Sequence, residues 1–126
     1  MPVDTVIRAF VDAINAHDVE RILALCSPDH AFVDAHGNIV PAERLREAWT
    51  GYFGFMPRYG IAVDEMVVEG DTAALFGFAW GGLAADGTRD WRRPAAWRVR
   101  VEQERIRLWQ VYVDTKIVFD LLASPP

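Results

Sequence analysis

The chain has 126 residues, room for one domain of ordinary size, expected to span 1–126, and no second folded unit. With 52% apolar and 25% charged residues, it reads as a globular chain with a sizeable core, and disordered, collagen-like and repeat classes are excluded. A net charge of -5 argues against broad affinity for nucleic acid, and the single cysteine, Cys26, excludes an internal disulfide framework or a multi-cysteine zinc site. Cys26 suits a reducing compartment, and the opening residues Met1 to Phe10 place Asp4 before any apolar run. Neither a secretory signal nor a membrane span is therefore expected, and the expected location is the cytoplasm.

In chain order, Val3, Ile7, Phe10, Val11 and Ile14 form one stripe at helical spacing, with Arg8, Asp12 and Asn15 opposite. Asp18 can accept from the first free amides of a second short helix bearing Val19, Ile22, Leu23 and Cys26, which Pro28 stops. His30 to Asp34 reads as a brief strand and Ala35-His36-Gly37-Asn38 as a turn. A third helix is expected from near Pro41, with the stripe Leu45, Ala48, Trp49, Tyr52 and Phe53.

From Ile61 the pattern changes to runs of β-branched and aromatic residues: Ile61 to Glu69, Thr72 to Gly82, Trp91 to Glu102 and Arg105 to Val118. Gly70-Asp71 and Asp86-Gly87 carry turn chemistry, whereas Gln103-Glu104 is read only from a break in alternation. Helices first and strands last give an α+β fold, three N-terminal helices packed on a strongly curved antiparallel sheet.

This order of elements resembles the nuclear transport factor 2-like superfamily, which includes ketosteroid isomerases and SnoaL-like polyketide cyclases. The likeness lies in Phe10-Val11-Asp12-Ala13-Ile14-Asn15-Ala16-His17-Asp18, in Pro28-Asp29-His30-Ala31-Phe32-Val33-Asp34, and in the meander ending Trp109-Gln110-Val111-Tyr112. It implies a conical domain around an apolar pocket, a homodimer formed through the outer sheet face, and chemistry without a cofactor. In ketosteroid isomerases a carboxylate moves a proton at carbon while a tyrosine and a protonated aspartic acid hold the oxyanion. An ungapped count from Asp18 puts the base on Asp34, the tyrosine position on Phe10 and the acid position on Trp97. The base is retained and both oxyanion donors are absent, which argues against steroid isomerisation by the familiar route.

Two readings of Asp34 stand side by side: a base whose pKa is raised at the mouth of a hydrophobic pocket, or an acceptor for the amides of the turn that follows. His30 lies on the same strand face by alternation, roughly 13 Å away at about 3.3 Å per residue, either as an acid at the far end of a substrate or as a solvated or helix-contacting histidine. Trp97 and Trp109 with Val111 alternate with polar neighbours, and together with Phe10, Trp49 and Phe53 they either line a flat cavity for a small apolar or cyclic ligand or simply fill the core. On the second long strand, Leu75, Gly77 and Ala79 oppose Phe76, Phe78 and Trp80, and both sets are apolar enough that parity does not choose.

Three separated histidines lack ligand spacing, so no metal is expected. Seven of the twelve arginines fall between Arg89 and Arg107. Arg98, Arg100 and Arg107 lie opposite the tryptophans and near Glu102 and Glu104, which fits cross-strand ion pairs or a dimer contact better than phosphate binding. The expected function is a cofactor-independent isomerase, cyclase or dehydratase using Asp34; the alternative is a non-catalytic ligand-binding or dimerisation module on the same scaffold.

Overall fold

The structure, a computed structural model, describes residues 1–123, so the last three residues of the expected domain lie outside it. Helix α1 (Val3–Asn15) buries Val6, Ile7, Phe10, Ala13 and Ile14 along the stripe that its spacing predicts. The Asn15 side chain then donates to the Ile61 carbonyl (2.9 Å) and accepts from the Ile61 amide (2.8 Å), fastening the end of α1 to the sheet. Asp18 caps α2 (Val19–Leu25) by accepting from the Arg21 amide at 3.0 Å.

α2 ends before Pro28, because strand β1 (Cys26–Val33) begins directly after Leu25 and carries Pro28 in an irregular stretch between Cys26 and Ala31. A short β2 (Ile39–Pro41) pairs back on β1. Pro41 thus closes a strand; a single 3-10 turn (Ala42–Arg44) follows it and leads into α3 (Leu45–Phe55). The meander is β3 (Gly60–Glu69), β4 (Thr72–Gly82), β5 (Asp90–Glu102) and β6 (Arg105–Val113).

Six strands form one mixed sheet in the order β2-β1-β6-β5-β4-β3, because β1 lies parallel to β6 while every other pair is antiparallel. The last strand stops at Val113, short of the expected Val118. Asp114 turns the chain by accepting from the Lys116 amide at 2.9 Å, and a fourth helix, α4 (Lys116–Ala123), begins there.

The sheet curls around the helices, and its bend has a local cause. β3 carries an irregularity between Val63 and Glu65, and opposite it a methyl group at Gly77 would lie 1.9 Å from the Ala62 carbonyl oxygen. On β4 the small set faces inward: Leu75 and Ala79 are buried while Phe76 on the other face is exposed. Gln103 and Glu104 both adopt positive φ (49° and 63°), which makes the β5–β6 turn a tight hairpin built without glycine.

Candidate functional site

Between the end of β1, α3, the ends of β4–β6 and α4 lies a cavity of about 330 Å³. Its walls are Phe32 from β1, Trp49 and Tyr52 from α3, Met56 and Tyr59 from the segment after α3, Ala79, Trp91, Val111 and Val113 from the sheet, and Val118 and Phe119 from α4. Asp34, His36, Asp114 and Thr115 supply its polar groups alongside the two tyrosines.

Asp34 follows β1 and lines the cavity, and its carboxylate also organises the turn: Oδ1 accepts from the His36 and Asn38 amides, each at 2.9 Å, and Oδ2 from the Asn38 side-chain amide at 3.1 Å. The acceptor reading of this residue is met by the turn, and the same side chain lines the cavity. Partial burial pushes its pKa up, yet the three hydrogen bonds and the nearby His36 together outweigh that, and the net shift is downward. Asp34 is therefore ionised at neutral pH, and the expectation that desolvation raises its basicity is corrected.

His30 lies outside the cavity lining. It is 1% exposed, its Nδ1 is 2.6 Å from the Ile106 carbonyl, and its ring lies 6.3 Å from Phe10. A carbonyl only accepts, so Nδ1 carries the proton and Nε2 is left without a partner. Burial lowers its pKa, the bond to Ile106 and the charge of Asp29 offset this in part, and the ring is held neutral.

Among the other candidates, Trp49 and Val111 line the cavity, whereas Phe10, Phe53, Trp97 and Trp109 lie outside its lining. Phe10 packs on Trp109 at 4.8 Å and Trp109 on Trp97 at 6.2 Å, a ladder that fills the space between α1 and the sheet. Phe53 stacks on His17 at 4.0 Å, and His17 Nε2 is 2.7 Å from the Tyr59 carbonyl.

Sequence reasoning missed Tyr59, Trp91 and the α4 residues, and placed Tyr52 only on a helix stripe. Burial pushes the Tyr52 hydroxyl up to about 12, and burial together with the neighbouring Tyr52 raises Tyr59 as well, so both remain protonated hydrogen-bond donors. The indole N–H groups of Trp49 and Trp91 are buried without an acceptor. The cavity is thus walled by residues that hold neutral donors, at different positions from Phe10 and Trp97, to which the family count pointed.

Within the arginine cluster, Arg107 pairs with Asp29 (3.2 Å) and Glu102 (3.1 Å) and the Arg92 guanidinium lies 3.9 Å from the Phe78 ring centroid, whereas the Arg100 Nε is buried without a hydrogen-bond partner. Among the described residues, no group of three His, Cys, Asp or Glu side chains is placed to hold a metal ion, and no helix is long and apolar enough to cross a membrane.

A curled sheet wrapped around N-terminal helices, with an apolar hollow at its open end, defines the nuclear transport factor 2-like class of α+β domain. The SnoaL-like domain family matches residues 7–109, and the chain belongs to that family. Among solved structures, a SnoaL-like candidate polyketide cyclase from Jannaschia superposes with a TM-score of 0.84 at 14% identity, covering 98% of this chain and 93% of that one. IdmH, a candidate polyketide cyclase from Streptomyces antibioticus, gives 0.79 at 19% identity, covering 98% and 100%. A hypothetical protein with a ketosteroid isomerase-like fold from Catenulispora acidiphila, solved with trimethylamine, gives 0.82 at 17% identity, covering 95% and 93%. These likenesses show the fold. No curated protein matches the sequence.

Proposed function

We propose that the protein is a small-molecule enzyme of the isomerase, cyclase or dehydratase type, using Asp34 as a general base without a cofactor. The observation that carries this reading is an ionised carboxylate on the wall of a mainly apolar cavity whose lining includes the unpartnered indole donors of Trp49 and Trp91. A carbon acid with its carbonyl towards Tyr52, Tyr59 or an indole N–H would lose its proton to Asp34 while the donor holds the developing oxyanion. Lowered basicity limits Asp34 to substrates acidified by such a donor or by conjugation. The candidate cyclases of the same fold agree with a small cyclic or polyketide-like substrate. His30 takes no part in this mechanism, since it packs behind the cavity.

One observation favours the alternative, a non-catalytic ligand-binding module: both oxygens of Asp34 are already occupied by the turn. The experiment that separates the two follows α-proton exchange of β-tetralone in heavy water. Wild-type protein should accelerate it and Asp34→Asn should lose roughly 100-fold or more of that acceleration, the contribution of a positioned base. Equal exchange by both proteins would give the site to the module.

We also propose that the protein works in the cytoplasm as a homodimer joined through its outer sheet face, where Phe76, Ala96 and Tyr112 sit in one cross-strand row. Phe76 is 44% and Tyr112 50% exposed.

A further inference from the structure

The formal charges on the cavity wall are all of one sign. The chain has twelve arginines and one lysine, yet neither type lines the cavity; Asp34 and Asp114 do, with His36 as the remaining titratable group beside the two tyrosines. The lysine, Lys116, is turned to Asp120 at 2.8 Å, and Arg58, from the segment after α3, is held by Asp90 at 3.0 Å. Compensation for the two carboxylates is partial and comes from His36 beside Asp34 and from Lys116, outside the lining, near Asp114.

Aromatic rings make up much of the rest of the wall, beside aliphatic side chains such as Met56, Val111 and Val113. Trp49 meets Phe32 at 77° with centroids 5.3 Å apart, and Tyr52 meets Tyr59 at 86° and 4.9 Å. In an edge-to-face pair the ring that offers its edge keeps both of its own faces uncovered by the partner, and a ring face carries the negative side of its quadrupole. Carboxylates and ring faces in a poorly hydrated space both favour a cation and both disfavour an anion.

We infer that the cavity takes an organic cation, a tertiary or quaternary ammonium compound carrying an acceptor oxygen. The ammonium group would sit among the rings with Asp34 and Asp114 as counter-charges, and the oxygen would satisfy an indole N–H of Trp49 or Trp91, which have no acceptor of their own. This inference rests on the proposed small-molecule site and adds the charge of its ligand.

The test titrates the protein with three probes of one shape: choline, dimethylbutanol in which a tert-butyl group replaces the trimethylammonium, and tert-butylacetate. Binding is read by tryptophan fluorescence and by ligand-observed NMR. Choline should bind roughly tenfold or more tightly than the neutral isostere, and tert-butylacetate weakest of the three. Asp114→Asn, which keeps an acceptor for the Lys116 amide, should reduce choline affinity and leave dimethylbutanol unchanged. Equal binding of choline and dimethylbutanol would overturn the cation inference and leave the apolar small-molecule site standing. Binding of none of the three would overturn both.

Discussion

The imidazole of His36 and the hydroxyl of Thr115 meet at 3.2 Å, joining the turn that holds Asp34 to the segment that starts α4. His36 also stands edge-on to Phe119, with centroids 5.7 Å apart. Two short segments far apart in the chain thus meet at the cavity wall. An exposed bond of this kind contributes about 0.5–1 kcal/mol. Thr115→Val should therefore raise hydrogen exchange in α4 roughly two- to fivefold while leaving β5 and β6 protected. Unchanged exchange in α4 would show that the helix is held by its apolar contacts alone.

The bend of the sheet depends on Gly77. A methyl group there meets the Ala62 carbonyl at 1.9 Å, and the obstacle is backbone, which a rotamer change does not relieve. Gly77→Ala should cost about 2 kcal/mol or more, at the upper end of overpacking substitutions, and lower the urea midpoint accordingly. Gly51 in α3 is the contrasting case, exposed and with open space around a new methyl. Gly51→Ala should stabilise by about 0.5–1 kcal/mol through helix propensity. Equal effects of the two substitutions would remove the steric account of the bend.

Much of the fold was legible because its elements obey local rules. Trp97, Val99 and Val101 alternate with Arg98 and Arg100 on β5, and the first set is buried as the alternation requires. α4 was not legible: Ile117, Val118 and Phe119 are β-branched or aromatic and continue the pattern of β6, while the stop comes from one side-chain bond of Asp114. The parallel pairing of β1 with β6 joins the two ends of the chain and leaves no trace in either local pattern. At the site, apolar periodicity identifies inward-facing residues and is silent on which face empty space. Trp97 and Trp109 meet Phe10 and the core, whereas Trp49 and Trp91 meet the cavity, because α1 fills one part of the curl and leaves the other open.

His30 gives the protein a pH dependence of stability. Its folded pKa lies below 6.5, so between that folded value and about 6.5 the unfolded chain binds the proton that the folded chain refuses. The contribution of neutral His30 is complete above about pH 6.5 and is lost as the pH falls from there towards the folded pKa. His30→Leu removes the titrating group but leaves the Ile106 carbonyl unpaired, so it should cost about 1–3 kcal/mol at pH 7.5. Urea midpoints measured from pH 7.5 to 5 should fall more steeply for wild type than for His30→Leu. Parallel curves would place the acid sensitivity elsewhere.

The outer sheet face offers the last test, since a large exposed aromatic pair is costly to leave in water. Phe76 and Tyr112 are both aligned with Ala96 across β4, β5 and β6, so a second copy would meet one continuous cross-strand row. A stable interface hides about 800 Å² on each partner, more than this row alone supplies, so the flanking strands must take part. Replacing both Phe76 and Tyr112 with Glu puts like charges against each other across any two-fold contact. Sedimentation should then show a dimer for wild type and a monomer for the double variant, with the cavity's probe affinities unchanged because the cavity opens on the other side of the sheet. A wild-type protein that sediments as a monomer at tens of micromolar would exclude the dimer and leave the aromatic row an ordinary exposed patch.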